Sequence, residues 1–236
     1  MPAALVYTVI PVAAAGVAGV GATLRPPGER LTSGLQHFAA GVVFAAAAIE
    51  LLPQVLEHSP PVAIVGFAVG LVVMFAMRAY TERFEAQHSG TGGMPAGLIG
   101  ATAIDFLVDG LVLGAGFAAG SHTGLLLVIA LTVEYLFVGL SLSASLGERS
   151  GPGRSIGVPV ALSLLTVVGA ATGLLALGNA TPTVLAGVLA FGAVAFMYLV
   201  TEELLVKAHE RGETALGSAT YFLGFLIYLI IHETLR

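Results

Sequence analysis

The sequence predicts an all-α integral membrane protein, built as a bundle of eight transmembrane helices. Three observations predict it: the composition is strongly apolar, long apolar segments recur along the chain, and the basic residues fall into alternate loops. Of the 236 residues, 57% are apolar and only 10% are charged, whereas soluble domains carry about 25% charged residues. A soluble fold is therefore excluded, and we treat the whole chain, 1–236, as one transmembrane domain.

The apolar segments are long enough to cross a bilayer, which takes about 20 residues per helix. They are too long for strands, and a spanning segment must satisfy its own backbone hydrogen bonds in lipid, so we expect each to be an α-helix. The predicted spans are 3–21, 35–56, 61–80, 95–119, 123–146, 157–178, 183–206 and 216–235.

The first segment has two interpretations. It lacks the positively charged start of a secretory signal peptide, and the small residues near its end resemble a cleavage site only weakly. We interpret it as the first span, with a cleaved signal peptide as the alternative.

Eight of the nine basic residues lie in pairs between spans one and two, three and four, five and six, and seven and eight. The three other loops contain no Lys or Arg. Cytoplasmic loops collect these residues, so the alternation predicts that both termini are extracytoplasmic; deleting one span would break it. The pairs are Arg25 and Arg30, Arg78 and Arg83, Arg149 and Arg154, and Lys207 and Arg211; Arg236 lies at the opposite side.

The longest polar segment is the loop 81–94, which this topology places in the cytoplasm. Its glycines and charged residues are typical of a flexible linker. The chain has no cysteine, so a disulfide framework and a thiolate metal site are both excluded.

Six acidic residues fall inside the predicted spans, and we expect no Lys or Arg at the same depth. Each costs on the order of 2.5 to 3.5 kcal/mol at a helix centre on insertion scales, so such residues usually face an interior cavity and are functional. Either several are protonated, or a cation is their partner. The remaining eight acids nearly balance the nine bases, so the net charge of −5 is stored in the membrane. The six are Glu50, Asp105, Asp109, Glu134, Glu202 and Glu203.

Spacing indicates which of these acids meet. Asp105 and Asp109 are four residues apart, so a helix places them on one face, one turn apart. Glu134 is near the middle of the next span, and a very short loop makes the two spans antiparallel neighbours. We therefore expect the three carboxylates to converge, although protonated acids bonded to a neighbouring helix are the alternative. Of Glu202 and Glu203, only one can face a given direction.

Two other residue classes are interpreted as architecture. Gly110 and Gly114 have the four-residue spacing that lets membrane helices approach closely. The histidines lie near span ends or in loops, and we interpret them as polar anchors at the membrane interface rather than as ligands. They are His37, His58, His88, His122, His209 and His232.

The acids and their flanks resemble the ZIP family of divalent metal-ion transporters. The second span ends in Glu50-Leu51-Leu52-Pro53, similar to that family's acid or His followed by Leu-Leu-Pro. The seventh span resembles its counterpart through Glu202-Glu203-Leu204-Leu205. The fourth-span pattern, His-Asn-x-x-(Asp/Glu)-Gly, falls on 105–110, and the fifth-span pattern, His-x-x-Pro-Glu-Gly, falls on 134–139.

The motifs are altered at several positions. Asp109, Gly110 and Gly139 match, but Asp105 and Glu134 stand where the family has His.

Three further substitutions bear on the number of ions. Phe106 replaces the Asn, Val138 replaces the glutamate, and Tyr135 is also changed. The resemblance implies two adjacent metal positions, of which these substitutions should abolish the second. A single site of Asp105, Asp109 and Glu134 is expected, helped by Glu50 and by Glu202 or Glu203.

The resemblance also implies a fold and a mode of action. Family members have eight spans in a 3+2+3 arrangement and often form homodimers, and spans four and five are expected to move relative to the rest. Spans two and seven carry similar sequences in opposite directions, in keeping with the inverted repeats of many transporters.

An all-carboxylate site favours harder ions than an imidazole site does. Mn²⁺, or Fe²⁺ aided by water, is preferred, and Zn²⁺ is also accepted. Protonation offers a means of release, because ligands must be deprotonated to bind a metal. We expect a multi-pass protein of the cell (inner) membrane whose partners are the metal ion and the lipid bilayer, with no nucleic acid and no bound cofactor.

Three other functions were weighed. A transport-inactive relative with a sensing or scaffold role is the main alternative, because of the altered motifs. A retinal-type photoreceptor is disfavoured since the only lysine, Lys207, lies at a helix end and tryptophan is absent. An enzyme is not expected, because no Ser/His or His-Glu-x-x-His arrangement falls within a span.

Overall fold

Helices account for all regular secondary structure in the part of the chain that the computed structural model describes, which is residues 2–57, 60–88, 96–147, 151–209 and 215–235. The α-helices are Pro2–Tyr7, Val9–Leu24, Glu29–Ala45, Leu52–Leu56, Pro60–His88, Ala96–Ala119, Ser121–Gly147, Pro152–Leu177, Pro182–Tyr198, Leu205–His209 and Ala215–Leu235. Two π-helical turns, Ala46–Leu51 and Leu199–Leu204, join the pieces of two long helices.

Eight of the resulting helical segments are long and apolar enough to cross a membrane, as predicted. They are, in order, Ala4–Leu24, Glu29–Leu56, Pro60–Arg83, Gly97–Ala119, Ser121–Gly147, Pro152–Leu177, Pro182–Leu204 and Gly217–Leu235, and we call them spans one to eight.

The three largest differences from the predicted boundaries arise because helices continue into polar sequence at the membrane edge. Span two begins at Glu29, an acid in the first turn, where it interacts favourably with the helix dipole. Span six begins at Pro152, since proline is well suited to a first helical turn. The helix of span three runs through His88, so the start of the predicted loop 81–94 is helical. Residues 89–94, like His58, Arg149, Arg211 and Arg236, lie outside the described residues.

Span one is packed into the bundle. Gly139 of span five is so close to it that an added Cβ would lie 2.7 Å from the Ala15 carbonyl oxygen and 3.1 Å from the Ala18 Cβ. Gly19 faces Ser143 of span five in the same way. The segment is therefore a structural helix of the fold, in agreement with its interpretation as a span.

The spans pack in pairs that are not all neighbours in sequence. Span one lies against span five and span six against span four, while span two lies against span eight and span three against span seven. Spans two, five and seven are the most buried, and spans three and eight are the most exposed to the surroundings of the bundle. Spans two, five and seven, which carry four of the six acids, are thus the inner helices of the bundle.

The glycines at four-residue spacing have the architectural role predicted for them. A side chain at Gly110 or Gly114 would overlap the backbone of span six at Thr166 and Ala170. Span two and span eight touch in the same way, where Gly41 meets the backbone of Tyr221. Backbone contact of this kind fixes the lateral position of span four, which carries two of the acids.

The two π-helical turns occupy corresponding places in spans two and seven. Glu50 is the fifth residue of Ala46–Leu51, and Glu203 is the fifth residue of Leu199–Leu204. Each acid is followed by leucine. Short π-helical turns inside α-helices are frequent at functional sites, and these two carry three of the six intramembrane acids.

Candidate metal site

Three of the six acids meet in the middle of the bundle. Asp105, Asp109 and Glu134 each offer a carboxylate oxygen, and the three oxygens all lie within 4.8 Å of one another. The convergence predicted from the spacing is therefore present in the structure. Asp109 and Glu134 are buried and Asp105 is half-buried. We call these three residues the carboxylate triad.

The triad forms because spans four and five are a tight antiparallel hairpin. Span four ends at Ala119 and span five begins at Ser121, one residue later. At a rise of 1.5 Å per residue, Glu134 lies about 20 Å along span five from this turn. Asp109 and Asp105 lie about 15 and 21 Å back along span four. The two aspartates bracket the depth of the glutamate, near the centre of both spans.

Glu134 is the most unusual member of the triad. Its side chain is fully buried, and neither carboxylate oxygen has a hydrogen-bond partner among the described residues. An unpaired buried carboxylate is strongly destabilising, so it must bind a proton or a cation. Because Asp105 and Asp109 also face this position, a divalent cation would neutralise charge on all three residues.

Asp109 is held in place by groups from two other helices. The Tyr135 hydroxyl on span five donates a hydrogen bond of 3.2 Å to its Oδ2. Thr166 on span six is hydrogen-bonded to the same hydroxyl. Outer partners of this kind orient a ligating carboxylate and raise the affinity of its site.

Aromatic rings fill the space beside the triad. Phe106 and Tyr135 are both fully buried, and their ring centroids are 4.2 Å apart. Phe106 is at an altered motif position and supplies a ring there rather than a ligand atom. The expectation of one ion rather than two stays a prediction.

One cation would draw the three carboxylates closer together. Carboxylate oxygens bind Zn²⁺ at about 2.0 to 2.2 Å, so two oxygens on a tetrahedral ion are about 3.3 to 3.6 Å apart. The triad oxygens lie within 4.8 Å of one another, so a bound ion requires a contraction of up to about 1.5 Å.

Asp105 connects the triad to the end of the bundle that carries the Lys/Arg loops. A cavity of about 320 Å³ is lined by Asp105, Glu202, Glu203 and Arg78. A second, of about 260 Å³, is lined by Asp105, Glu203 and Gln36 among others. Polar space thus leads from the triad toward this end, which we call the basic end.

Glu202 does not join the triad. Its Oε2 is 2.5 Å from Nη1 of Arg78 on span three, and its side chain is 42% exposed. The expectation that no base lies at the depth of the six acids was wrong for this residue, because Arg78 is part of a continuous helix and its side chain reaches span seven. Glu203 is half-buried and lines both cavities, in agreement with only one of the pair facing inward.

Glu50 is also separate from the triad. It lies beside His122 and His232, with its carboxylate oxygens 4.0 and 3.2 Å from their Nδ1 atoms. His122 precedes Glu134 by twelve residues on one helix, a distance of about 18 Å. The expectation that Glu50 assists the central site was therefore wrong. His122 and His232 lie near span ends, as predicted, and both also face this buried carboxylate.

His37 is buried and does not reach the triad. Its Nδ1 is 2.8 Å from the Ser33 carbonyl oxygen one turn earlier. This contact gives it a structural role in span two. The side chains of His88 and His209 lie outside the described residues.

Sequence reasoning missed two residues of the site, Tyr135 and Thr166. Tyr135 was noted as an altered motif position and not as a partner of Asp109. A buried tyrosine hydroxyl generally needs a hydrogen-bond partner, and that requirement could have linked it to an acid one helix away. Thr166 carries no such signal, because its contact depends on how span six packs.

Comparisons with known proteins give no further assignment. No family model matches the chain, and no curated protein matches its sequence.

Proposed function

We propose that this protein transports a divalent metal cation across the membrane through the carboxylate triad, as the resemblance to the ZIP family implies. The observation that carries the proposal is the Glu134 carboxylate. It is fully buried, it lacks a hydrogen-bond partner among the described residues, and it faces two aspartates within 4.8 Å. A cation bound to all three groups removes the electrostatic penalty of this arrangement.

The ligand set favours a hard or borderline cation. Three carboxylates with room for water suit Mn²⁺ and Fe²⁺, and Zn²⁺ also accepts oxygen ligands. Unlike the imidazoles that the family places at residues 105 and 134, carboxylates give no strong preference for zinc. We expect Mn²⁺ or Fe²⁺ to be transported at least as well as Zn²⁺.

The position of the site is suited to transport. The triad is near the centre of spans four and five, where transporters commonly bind their ions. Asp105 and Glu203 line the cavities between it and the basic end. An ion leaving the triad on this side would pass further carboxylates, which lower the barrier to its release.

We further propose the 3+2+3 arrangement, with spans four and five between two inverted three-helix units. The pairing of spans one with five and six with four, and of two with eight and seven with three, is what such a two-fold relation requires. The loop charges support extracytoplasmic termini. A cell (inner) membrane location and a homodimer are part of the proposal by resemblance alone.

A second candidate function is metal sensing without transport. It is favoured by Tyr135, whose hydroxyl occupies one side of Asp109 and whose ring packs on Phe106. A site whose ligand is fixed in this way would retain its ion. In that case metal would bind to the triad with no flux across the membrane.

Uptake by proteoliposomes tests both candidates. The full chain is reconstituted, and influx of Mn²⁺, Fe²⁺, Zn²⁺ and Mg²⁺ is measured for the wild type, Asp109→Asn and Glu134→Gln. We expect Mn²⁺ or Fe²⁺ influx that falls at least tenfold in both variants, as expected when a metal ligand is lost. Glu29→Gln, at an exposed position of span two, is the matched control and should transport normally.

Two outcomes would contradict the transport proposal. Flux equal to that of the wild type in Asp109→Asn and Glu134→Gln would remove the triad from the pathway. Mn²⁺ binding that both variants abolish, with no flux of any ion in the wild type, would favour the sensing role.

A further inference from the structure

A second cluster of ligand-type side chains lies at the end of the bundle opposite the basic end. It consists of Glu50 from span two, His122 from the start of span five and His232 from the end of span eight. Three helices that are distant in sequence each supply one group. The cluster is about 18 Å from the depth of Glu134, so it is separate from the carboxylate triad.

Each imidazole faces one oxygen of the Glu50 carboxylate, but no choice of one ligand atom per residue brings all three as close together as in the carboxylate triad, so a bound ion would draw the two rings inward. Oε2 of Glu50 is 3.2 Å from Nδ1 of His232, and Oε1 is 4.0 Å from Nδ1 of His122. The two imidazole rings are nearly perpendicular, with centroids 5.9 Å apart. Both oxygens of one carboxylate thus point toward nitrogen atoms from different helices.

The contact between Glu50 and His232 is not a hydrogen bond. Nδ1 of His232 is buried and has no hydrogen-bond partner among the described residues, despite its short distance to the carboxylate. Two ligand atoms on a tetrahedral zinc ion, each bonded at about 2.0 to 2.2 Å, are about 3.3 to 3.5 Å apart. The observed 3.2 Å is close to that separation.

A neighbouring amide holds the carboxylate in position. Nε2 of Gln54, one turn after Glu50, donates to Oε1 of Glu50 at 3.2 Å and to the Thr123 hydroxyl at 2.6 Å. Thr123 is adjacent to His122 in span five. This amide therefore ties the carboxylate to the helix that carries one of the imidazoles, as an outer partner does in metal sites.

The three side chains of the cluster differ in exposure. The Glu50 side chain is 5% exposed and that of His232 is 14% exposed, whereas that of His122 is 44% exposed. An ion could reach the cluster past His122 and would then be enclosed by the other two groups. Two imidazoles and one carboxylate, with an open fourth position, form a ligand set that Zn²⁺ prefers.

We propose that Glu50, His122 and His232 form a second metal-binding site, for Zn²⁺ or a cation of similar preference such as Co²⁺, at the end of the bundle opposite the basic end. The site differs in chemistry from the carboxylate triad, because imidazole nitrogens supply two of its three ligands. It binds its ion whether or not the chain transports metal, so it goes beyond the proposed function and does not rest on it.

Metal binding to the purified full chain in detergent micelles tests the proposal. Glu134→Gln serves as the background, because it removes the central carboxylate and leaves the second site intact. We expect this variant to retain one bound Zn²⁺ in equilibrium dialysis. Adding His232→Gln, or Glu50→Gln, should weaken that binding at least about 100-fold, since either change removes a direct ligand. Glu57→Gln, an exposed acid on the same segment, is the matched control and should leave the affinity unchanged.

A cysteine variant of His122 gives a spectroscopic signal of metal binding that a change in folding cannot produce. The chain contains no cysteine, so His122→Cys introduces a single thiol. With Co²⁺ in the Glu134→Gln background, it should show a thiolate-to-cobalt charge-transfer band. Ser121→Cys, at the exposed neighbouring position, should show none.

Two results would overturn the inference. One is a Glu134→Gln variant that binds no Zn²⁺ although its thermal unfolding is cooperative. The other is a bound ion whose affinity is unaffected by His232→Gln, with no charge-transfer band in His122→Cys. If the protein fails to transport metal, that result contradicts the proposed function of the carboxylate triad and does not contradict this second metal-binding site.

Discussion

The Tyr135 hydroxyl donates a hydrogen bond of 3.2 Å to Oδ2 of Asp109, which joins spans four and five at the depth of the triad. A tyrosine hydroxyl has one proton to give, so the bond between Tyr135 and Thr166 has the threonine as donor. Spans four, five and six are thereby linked through one buried carboxylate. Since a carboxylate has about four lone-pair sites, Asp109 retains capacity for a cation.

Tyr135→Phe removes this hydroxyl and keeps the ring that packs on Phe106. We expect a 10- to 100-fold loss of Mn²⁺ or Zn²⁺ affinity at the triad, the usual effect of losing an outer partner of a ligand. Isothermal titration calorimetry on the purified chain measures it. Tyr228→Phe is the control, because that hydroxyl is buried without a hydrogen-bond partner among the described residues. Equal affinities for Tyr135→Phe and the wild type would show that the hydroxyl does not position Asp109.

Glu134→Gln is expected to stabilise the metal-free protein. The amide has nearly the same shape, and it removes an unpaired buried carboxylate that faces two aspartates. Each kcal/mol gained should raise Tm by about 2–4 °C. The rise in Tm that added Mn²⁺ produces in the wild type should disappear, because a cation stabilises only the state that binds it. Differential scanning fluorimetry with and without Mn²⁺ measures both effects. A lower Tm without metal, together with an unchanged metal response, would contradict the assignment.

Gly110→Ala should weaken the contact between spans four and six. The added Cβ would overlap the backbone at Thr166, so the two helices must separate. Overpacking of this kind destabilises by about 1 to 3 kcal/mol, and the shift carries Asp109 with it. Gly100→Ala on the same span is the matched control, since its Cβ would meet nothing within 4 Å and alanine is the better helix former. In thermal unfolding in detergent, Gly110→Ala should have a lower Tm than the wild type, and Gly100→Ala should have a Tm equal to or above that of the wild type. Equal Tm values for Gly110→Ala and the wild type would contradict the close approach of the two helices.

The ion pair between Arg78 and Glu202 should contribute little to stability. Both side chains are more than 40% exposed, and Arg78 also binds Glu82 on its own helix at 2.8 Å. Exposed pairs are worth about 0.2 to 1 kcal/mol in double-mutant cycles. A cycle of Arg78→Gln, Glu202→Gln and the double variant should give a coupling energy in that range. A coupling above about 2 kcal/mol would mean that the pair is enclosed at the basic end.

The eight spans and the carboxylate triad could be predicted because they depend on properties of short stretches of sequence. Apolar length determines which segments cross a bilayer, and the helical period places Asp105 and Asp109 on one face. Glu134 joins them because Gly120 alone separates spans four and five, and a hairpin this tight leaves little freedom of register. The number of residues between each acid and the turn that joins the two helices was therefore enough to predict that the three carboxylates meet.

The positions of the other acids were not predictable in this way. Glu50 meets His122 and His232 only because span two packs against spans five and eight, and no local pattern specifies those neighbours. Arg78 was grouped with Arg83 at the end of the predicted span 61–80, and nothing in the sequence indicated that its side chain reaches Glu202 on span seven. Contacts between helices far apart in sequence depend on the assembled bundle, as does the role of Thr166.

The π-helical turn at Ala46–Leu51 holds one residue more than an ordinary helical turn would. Such a turn absorbs the extra residue while the helix on either side keeps its register, so removing the half-buried Ala48 would restore regular α-helix and leave Leu52 and the residues after it on their present faces. Removing a residue from the regular helix before the turn would instead rotate Glu50 by about 100° around the axis, away from His232. Ala46 and Ala47 are fully buried, so larger side chains there would overpack the bundle. This stretch should therefore tolerate the loss of one residue better than an increase in side-chain size.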